Sequence, residues 1–175
     1  MANRSVQLSK QSQLLSVLVP LLVVFVASCT GDDASEGPQF MTLPDVAGAG
    51  SAEPHLASTT DGTVVMSWLE PSEPGTDLRW SRLHGNQWED PRTVASGDNW
   101  FVNWADFPSV EPISNSLWAA HWLVKRPGGT FAYDVAISIS EDAGSTWTEA
   151  VIPHQDDTPT EHGFVSLFSW QDKIG

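Results

Sequence analysis

The chain has 175 residues and sets 8 Lys and Arg against 22 Asp and Glu, a formal net charge of −14. Such an excess of acid repels phosphate, which excludes nucleic acid as a partner and limits contact with an anionic leaflet to whatever an anchor supplies. The single cysteine, Cys29, excludes an intrachain disulfide.

Taken in order, the chain opens with a segment that is not part of a fold. Met1 to Gln13 carries Arg4 and Lys10 and no acid, Leu14 to Ala27 is almost wholly apolar, and Val26-Ala27-Ser28-Cys29 follows. A basic start, a short apolar run and a small-residue cleavage site describe a secretory signal over residues 1–28. The four residues ending at Cys29 resemble a bacterial lipobox. That resemblance implies lipidation of Cys29 and, since Thr30 is not an acid, attachment to the outer membrane. The residues themselves leave open a plain signal peptide followed by a free thiol. Residues 29–51, rich in Gly, Asp, Ser and Ala, are expected to form a flexible linker.

From Ala52 the chain repeats. Pro54-x-Leu56 followed by Val64-Val65-Met66-Ser67-Trp68 recurs 54 residues later as Pro108-x-Val110 followed by Trp118-Ala119-Ala120-His121-Trp122. A third copy opens at Phe164-Val165-Ser166-Leu167. Periods of about 50 residues, built of short strands and broken by Asp-Gly, Pro-Gly and Gly-Asn turns, read as an all-β array. Of the tryptophans, Trp68, Trp80, Trp88, Trp118, Trp122 and Trp147 fall in strand-like runs and belong to a core. Trp100 and Trp104 lie in a polar connection and are left for a ligand.

Between Tyr133 and Ser140, Val135, Ile137 and Ile139 alternate with Ala136, Ser138 and Ser140, the period of a strand. Ser140, Asp142, Gly144, Thr146 and Trp147 follow at fixed spacing. Asp142 suits an acceptor for backbone N–H groups, Gly144 a positive φ, and Thr146-Trp147 the restart of a strand. The pattern resembles the Asp-box of sialidase-like (BNR-repeat) β-propellers, and Ser81 to Trp88 is a worn copy with Leu83 in place of the acid. The resemblance implies an all-β propeller of sialidase type, with blade one at 52–98, blade two at 99–155 and the start of blade three at 156–175. Propellers close with at least four blades, so the sequence reads as an N-terminal piece of a longer one.

In such a blade the boxes mark one face and function gathers on the other, where the connections Glu70–Asp77, Ser96–Asp106, Lys125–Thr130 and His154–His162 are expected. The catalytic candidates are Asp106, Glu161 and His162, which precede innermost strands and are expected to face a common opening. The substrate-binding candidates are Trp100, Trp104, Lys125 and Arg126. The family's catalytic members hold a substrate carboxylate with three arginines and use an Asp acid/base with a Tyr–Glu nucleophile. Here no arginine lies between Cys29 and Arg79, and the only tyrosine, Tyr133, reads as a packed strand residue. The expected partner is a carbohydrate or glycoconjugate, with no cofactor and no metal. The expected activity is an exported, lipid-anchored glycoside hydrolase, or alternatively a non-catalytic propeller that binds glycans or proteins.

Overall fold

The computed structural model describes residues 37–171 and 173–175, so the expected signal segment and Cys29 lie outside the described residues. Met41–Gly175 forms one compact unit that is all-β, with no helix among the described residues. The first sheet is an antiparallel meander of β1 (Ala52–Ser58), β2 (Val64–Pro71) and β3 (Thr76–His84). Its last position is shared by β4 (Gln87–Trp88) and β5 (Arg92–Gly97), both paired with β3. Pro91, which has no N–H to give a ladder, stands between the two pieces. The second sheet runs β6 (Ser109–Pro112), β7 (Trp118–Lys125) and β8 (Tyr133–Ser140), again antiparallel.

One apolar core joins the two sheets. Val65, Leu69, Leu78 and Trp80 from the first meet Val110, Trp118, Ala120, Trp122 and Ala136 from the second, all buried. Trp80 and Trp118 pack edge to face with centroids 4.9 Å apart, a geometry worth about 1 kcal/mol beyond the area buried. The assignment of Trp68, Trp80, Trp118 and Trp122 to the core therefore holds, and Trp147 packs against its margin.

The expected Asp-box, Ser140 to Thr146, forms a closed hydrogen-bonded turn after β8. Asp142 Oδ1 accepts from the Thr146 N–H at 2.8 Å and from the Ser140 hydroxyl at 2.8 Å, while Oδ2 accepts from the Thr146 hydroxyl at 2.6 Å. These donors, the Thr146 hydroxyl foremost, hold the Asp142 carboxyl down at about 2. Ser140 Oγ also accepts from the Gly144 N–H at 2.8 Å, and Gly144 sits at φ 81° against the Trp80 ring of the first sheet. Arg82 donates to the Ala143 carbonyl at 2.8 Å and covers the Trp118 ring, so the turn is bound to both sheets.

Three expectations need correction. The segment after the box is not a regular strand: it follows β8 through Thr148 N–H to Ile139 C=O and a bridge between Ile137 and Val151. The Ile139 N–H goes instead to the Thr148 side-chain oxygen, which interrupts the ladder. Phe164–Leu167 is likewise no strand; the pairing nearby is a two-residue hairpin of β9 (Ser169–Trp170) and β10 (Lys173–Ile174). Finally, the linker is tied down before Ala52. Glu70 Oε2 accepts from the Gly48 N–H at 2.8 Å, the Ser51 hydroxyl at 3.4 Å and the Trp68 indole at 3.0 Å.

Candidate functional site

An antiparallel meander puts alternate turns at opposite ends of a sheet, and β8 gives the direction here. Its first residue, Tyr133, touches both Asp106 and His162, whereas Asp142 follows its last residue, Ser140. Eight residues at about 3.3 Å each separate the two ends by more than about 20 Å. Asp106 and His162 thus share one end, and the box occupies the other.

At the Tyr133 end, three connections enclose a cleft of about 570 Å³, within the ordinary range of small-molecule sites. Gly75 and Thr76 come from the β2–β3 turn, Asp98 and Trp100 to Val102 from the β5–β6 connection, and Lys125, Arg126, Gly129 and Thr130 from the β7–β8 connection. Lys125 is exposed and enters none of the ion pairs found among the described residues. Phe101 is fixed by stacking on Tyr133, centroids 4.2 Å apart at 11°, and by its N–H bonded to the Leu123 carbonyl.

The sequence-based candidates fare differently. Trp100 is 7% exposed, bridges Val124 and packs against Trp122 with centroids 5.3 Å apart; it is a core residue whose edge reaches the cleft. Trp104 is 83% exposed and does not line the cleft. Arg126 lines it, but its guanidinium is engaged by Asp157 at 2.7 Å, the Thr158 carbonyl at 3.0 Å and Asp134 at 3.3 Å. The Asp157 bond, with Asp134 behind it, raises its pKa further, so it is a neutralised structural cation.

Asp106 does not face an opening. It is 4% exposed, with Oδ2 accepting from the Tyr133 hydroxyl at 3.2 Å and Oδ1 from the Phe164 N–H at 2.8 Å. Burial, then the Asp106 charge, pushes the Tyr133 phenol up to about 12, so it stays a neutral donor. Gly163 closes the lid: a Cβ there would stand 1.8 Å from Asp106 Oδ2. Glu161 is exposed and bridges Tyr133 through its backbone, but it is no partner of His162.

His162 belongs instead to a group that sequence reasoning missed. Its ring stacks on His154 with centroids 3.9 Å apart at 18°. Asp156 faces both rings, Oδ2 at 3.2 Å from His162 Nε2 and Oδ1 at 3.5 Å from His154 Nδ1. Asp134 approaches from β8, its Oδ1 at 3.2 Å from His162 Nδ1 and 3.6 Å from His154 Nε2. The Thr158 hydroxyl, then His162, holds the Asp156 carboxyl well below the usual carboxylate range, and Asp156 in turn raises the His162 imidazole. The signal for Asp134 was present: it is the one charged residue of β8, sharing a parity with Ala136, Ser138 and Ser140.

Comparison with known protein families, curated proteins and solved structures gave no match to this chain.

Proposed function

We propose that this chain is a carbohydrate-binding part of an exported, sialidase-like β-propeller protein, with the cleft beside Tyr133 as its sugar site. The observation that carries this reading is the cleft itself, where Phe101, the Lys125 ammonium, the Asp98 carboxylate and the Thr76 and Thr130 side chains converge from three connections. An aromatic edge surrounded by polar groups suits a ring of hydroxyls with an apolar face. Arg126 is already neutralised, and the cleft lining carries Asp98 as well as Lys125, so the balance of charge favours a neutral sugar over a carboxylated one.

Binding is preferred to hydrolysis because of Asp106. A general acid must reach the glycosidic oxygen, and both Asp106 oxygens are already occupied in a buried pocket. A panel of neutral and carboxylated oligosaccharides titrated calorimetrically against the full chain tests the reading. Lys125→Ala and Phe101→Ala should each weaken binding of the preferred neutral sugar about tenfold or more, and Thr146→Ala at the opposite end should not. Absence of binding at millimolar sugar would reject the proposal. Turnover of an aryl glycoside that drops about 100-fold in Asp106→Asn would replace it with the hydrolase reading.

The proposed location is the bacterial outer membrane, through a lipid on Cys29, supported by Val26-Ala27-Ser28-Cys29 behind an apolar run. Cys29→Ser should move the protein from the membrane fraction to the soluble one. A variant that still sediments with membranes contradicts the anchor.

A further inference from the structure

We propose that Asp134, His154 and His162 bind a zinc-type divalent cation. The site is independent of the sugar reading.

The separations match the spacing of ligand atoms around a shared ion. One ligand atom from each of Asp134, His154 and His162 lies within 4.8 Å of the other two, and the atoms that face one another are Asp134 Oδ1, His154 Nε2 and His162 Nδ1. In a tetrahedral site with bonds of about 2.0–2.1 Å, neighbouring ligand atoms stand about 3.4 Å apart. The two separations from Asp134 Oδ1 are 3.2 and 3.6 Å. The longer one exceeds hydrogen-bond reach, and His154 Nε2 is in fact a buried nitrogen with no hydrogen-bond partner. A buried imidazole nitrogen without a hydrogen-bond partner, facing a carboxylate, is a lone pair available to a cation.

The surroundings supply what histidine ligands need. A metal takes the lone pair of one ring nitrogen, and the other N–H must be held by an acceptor that fixes the tautomer. Asp156 does this for His162, bonding Nε2 at 3.2 Å with one oxygen, while its other oxygen faces His154 Nδ1 at 3.5 Å. With the His162 proton held on Nε2, its Nδ1 lone pair faces Asp134, and the unpartnered Nε2 of His154 faces the same carboxylate. His162 Nδ1 also lies 3.2 Å from the Tyr133 carbonyl, the competing contact when the ring is protonated instead. Arg126 takes part from outside, holding Asp134 and closing the cleft wall with the same guanidinium. Three protein ligands leave a fourth position for water, the pattern of an open site rather than a closed structural one. Its place ties the His154–His162 connection to the start of β8.

Zinc chloride titrated into the chelator-stripped full chain should bind at one equivalent. The same preparation with cobalt(II) should show the visible absorption of a tetrahedral nitrogen–oxygen site. His154→Ala should abolish this binding. Asp156→Asn, which keeps the ligands but loosens their orientation, should weaken it about 10–100-fold. Glu161→Gln, beside His162 but outside the group, should leave the affinity unchanged. If His154→Ala unfolds the chain, Asp156→Asn and the cobalt spectrum still decide the matter. No stoichiometric zinc binding, or binding indifferent to Asp156→Asn, overturns the proposal and leaves the two imidazoles as an ion-paired stack on Asp156.

Discussion

Gly144→Ala should destabilise the fold by about 3 kcal/mol, far more than a single methyl at a surface turn suggests. Two causes act together. Gly144 has φ 81°, a conformation that costs a non-glycine residue about 1–2 kcal/mol. Its new Cβ would also stand 2.5 Å from Cζ2 of Trp80, a ring buried against Trp118 with no room to retreat. The overlap is specific to the indole, so it can be separated from the backbone strain. A double-mutant cycle with Trp80→Phe, followed by denaturant unfolding, should show a coupling of about 1–2 kcal/mol, because the smaller ring vacates the contested space. Additive effects would mean that the box does not press on the first sheet.

The second large effect is acid destabilisation centred on His121. This imidazole is buried on the face of β7 opposite Ala120 and Trp122, near Phe107 and Val165, with Nδ1 hydrogen-bonded to Ser109 at 2.9 Å. Burial, reinforced by the nearby His55, lowers its pKa from the ordinary 6.5 to about 4. Between these values the unfolded chain binds a proton that the folded chain refuses, so stability falls as the pH drops from about 6.5 to 4 and then levels off as far as this residue is concerned. At 1.36 kcal/mol per unit the loss is about 3 kcal/mol. His162 carries the opposite sign: its raised pKa gives stability present below 6.5 and lost as pH rises past it, so it does not mask the acid limb. Urea unfolding of the parent and of His121→Gln between pH 4 and 7 checks this. The variant's curve should be flatter by about that amount, and parallel curves would contradict the assignment.

What the sequence disclosed was whatever is local. The alternation of Val135, Ile137 and Ile139 marks β8 to its ends, and the spacing of Ser140, Asp142 and Thr146 contains the hydrogen bonds of the turn because all three lie within six residues. Trp100 was misplaced for the complementary reason. Its neighbours Asp98, Asn99 and Asn103 read as solvated loop, while the contacts that bury it, Trp122 and Val124, lie more than 20 positions away. Asp106 failed likewise: an acid in a loop reads as exposed until Tyr133 and Phe164 are brought over it. The histidine pair was half visible. His162 stood out beside Glu161 as a candidate, but the residues it meets are Asp134 from a strand and His154 and Asp156 from earlier in the connection.

The central claim is that binding takes place in the cleft at the Tyr133 end of the two sheets. It is tested most directly by amide chemical-shift mapping of the 15N-labelled chain during titration with the neutral oligosaccharide that binds best. The account predicts shifts confined to Gly75 and Thr76, Asp98 to Val102 and Lys125 to Thr130, with Ser140 to Trp147 unmoved. Shifts concentrated at Ser140 to Trp147 and Arg82, at the far end of β8, would contradict it.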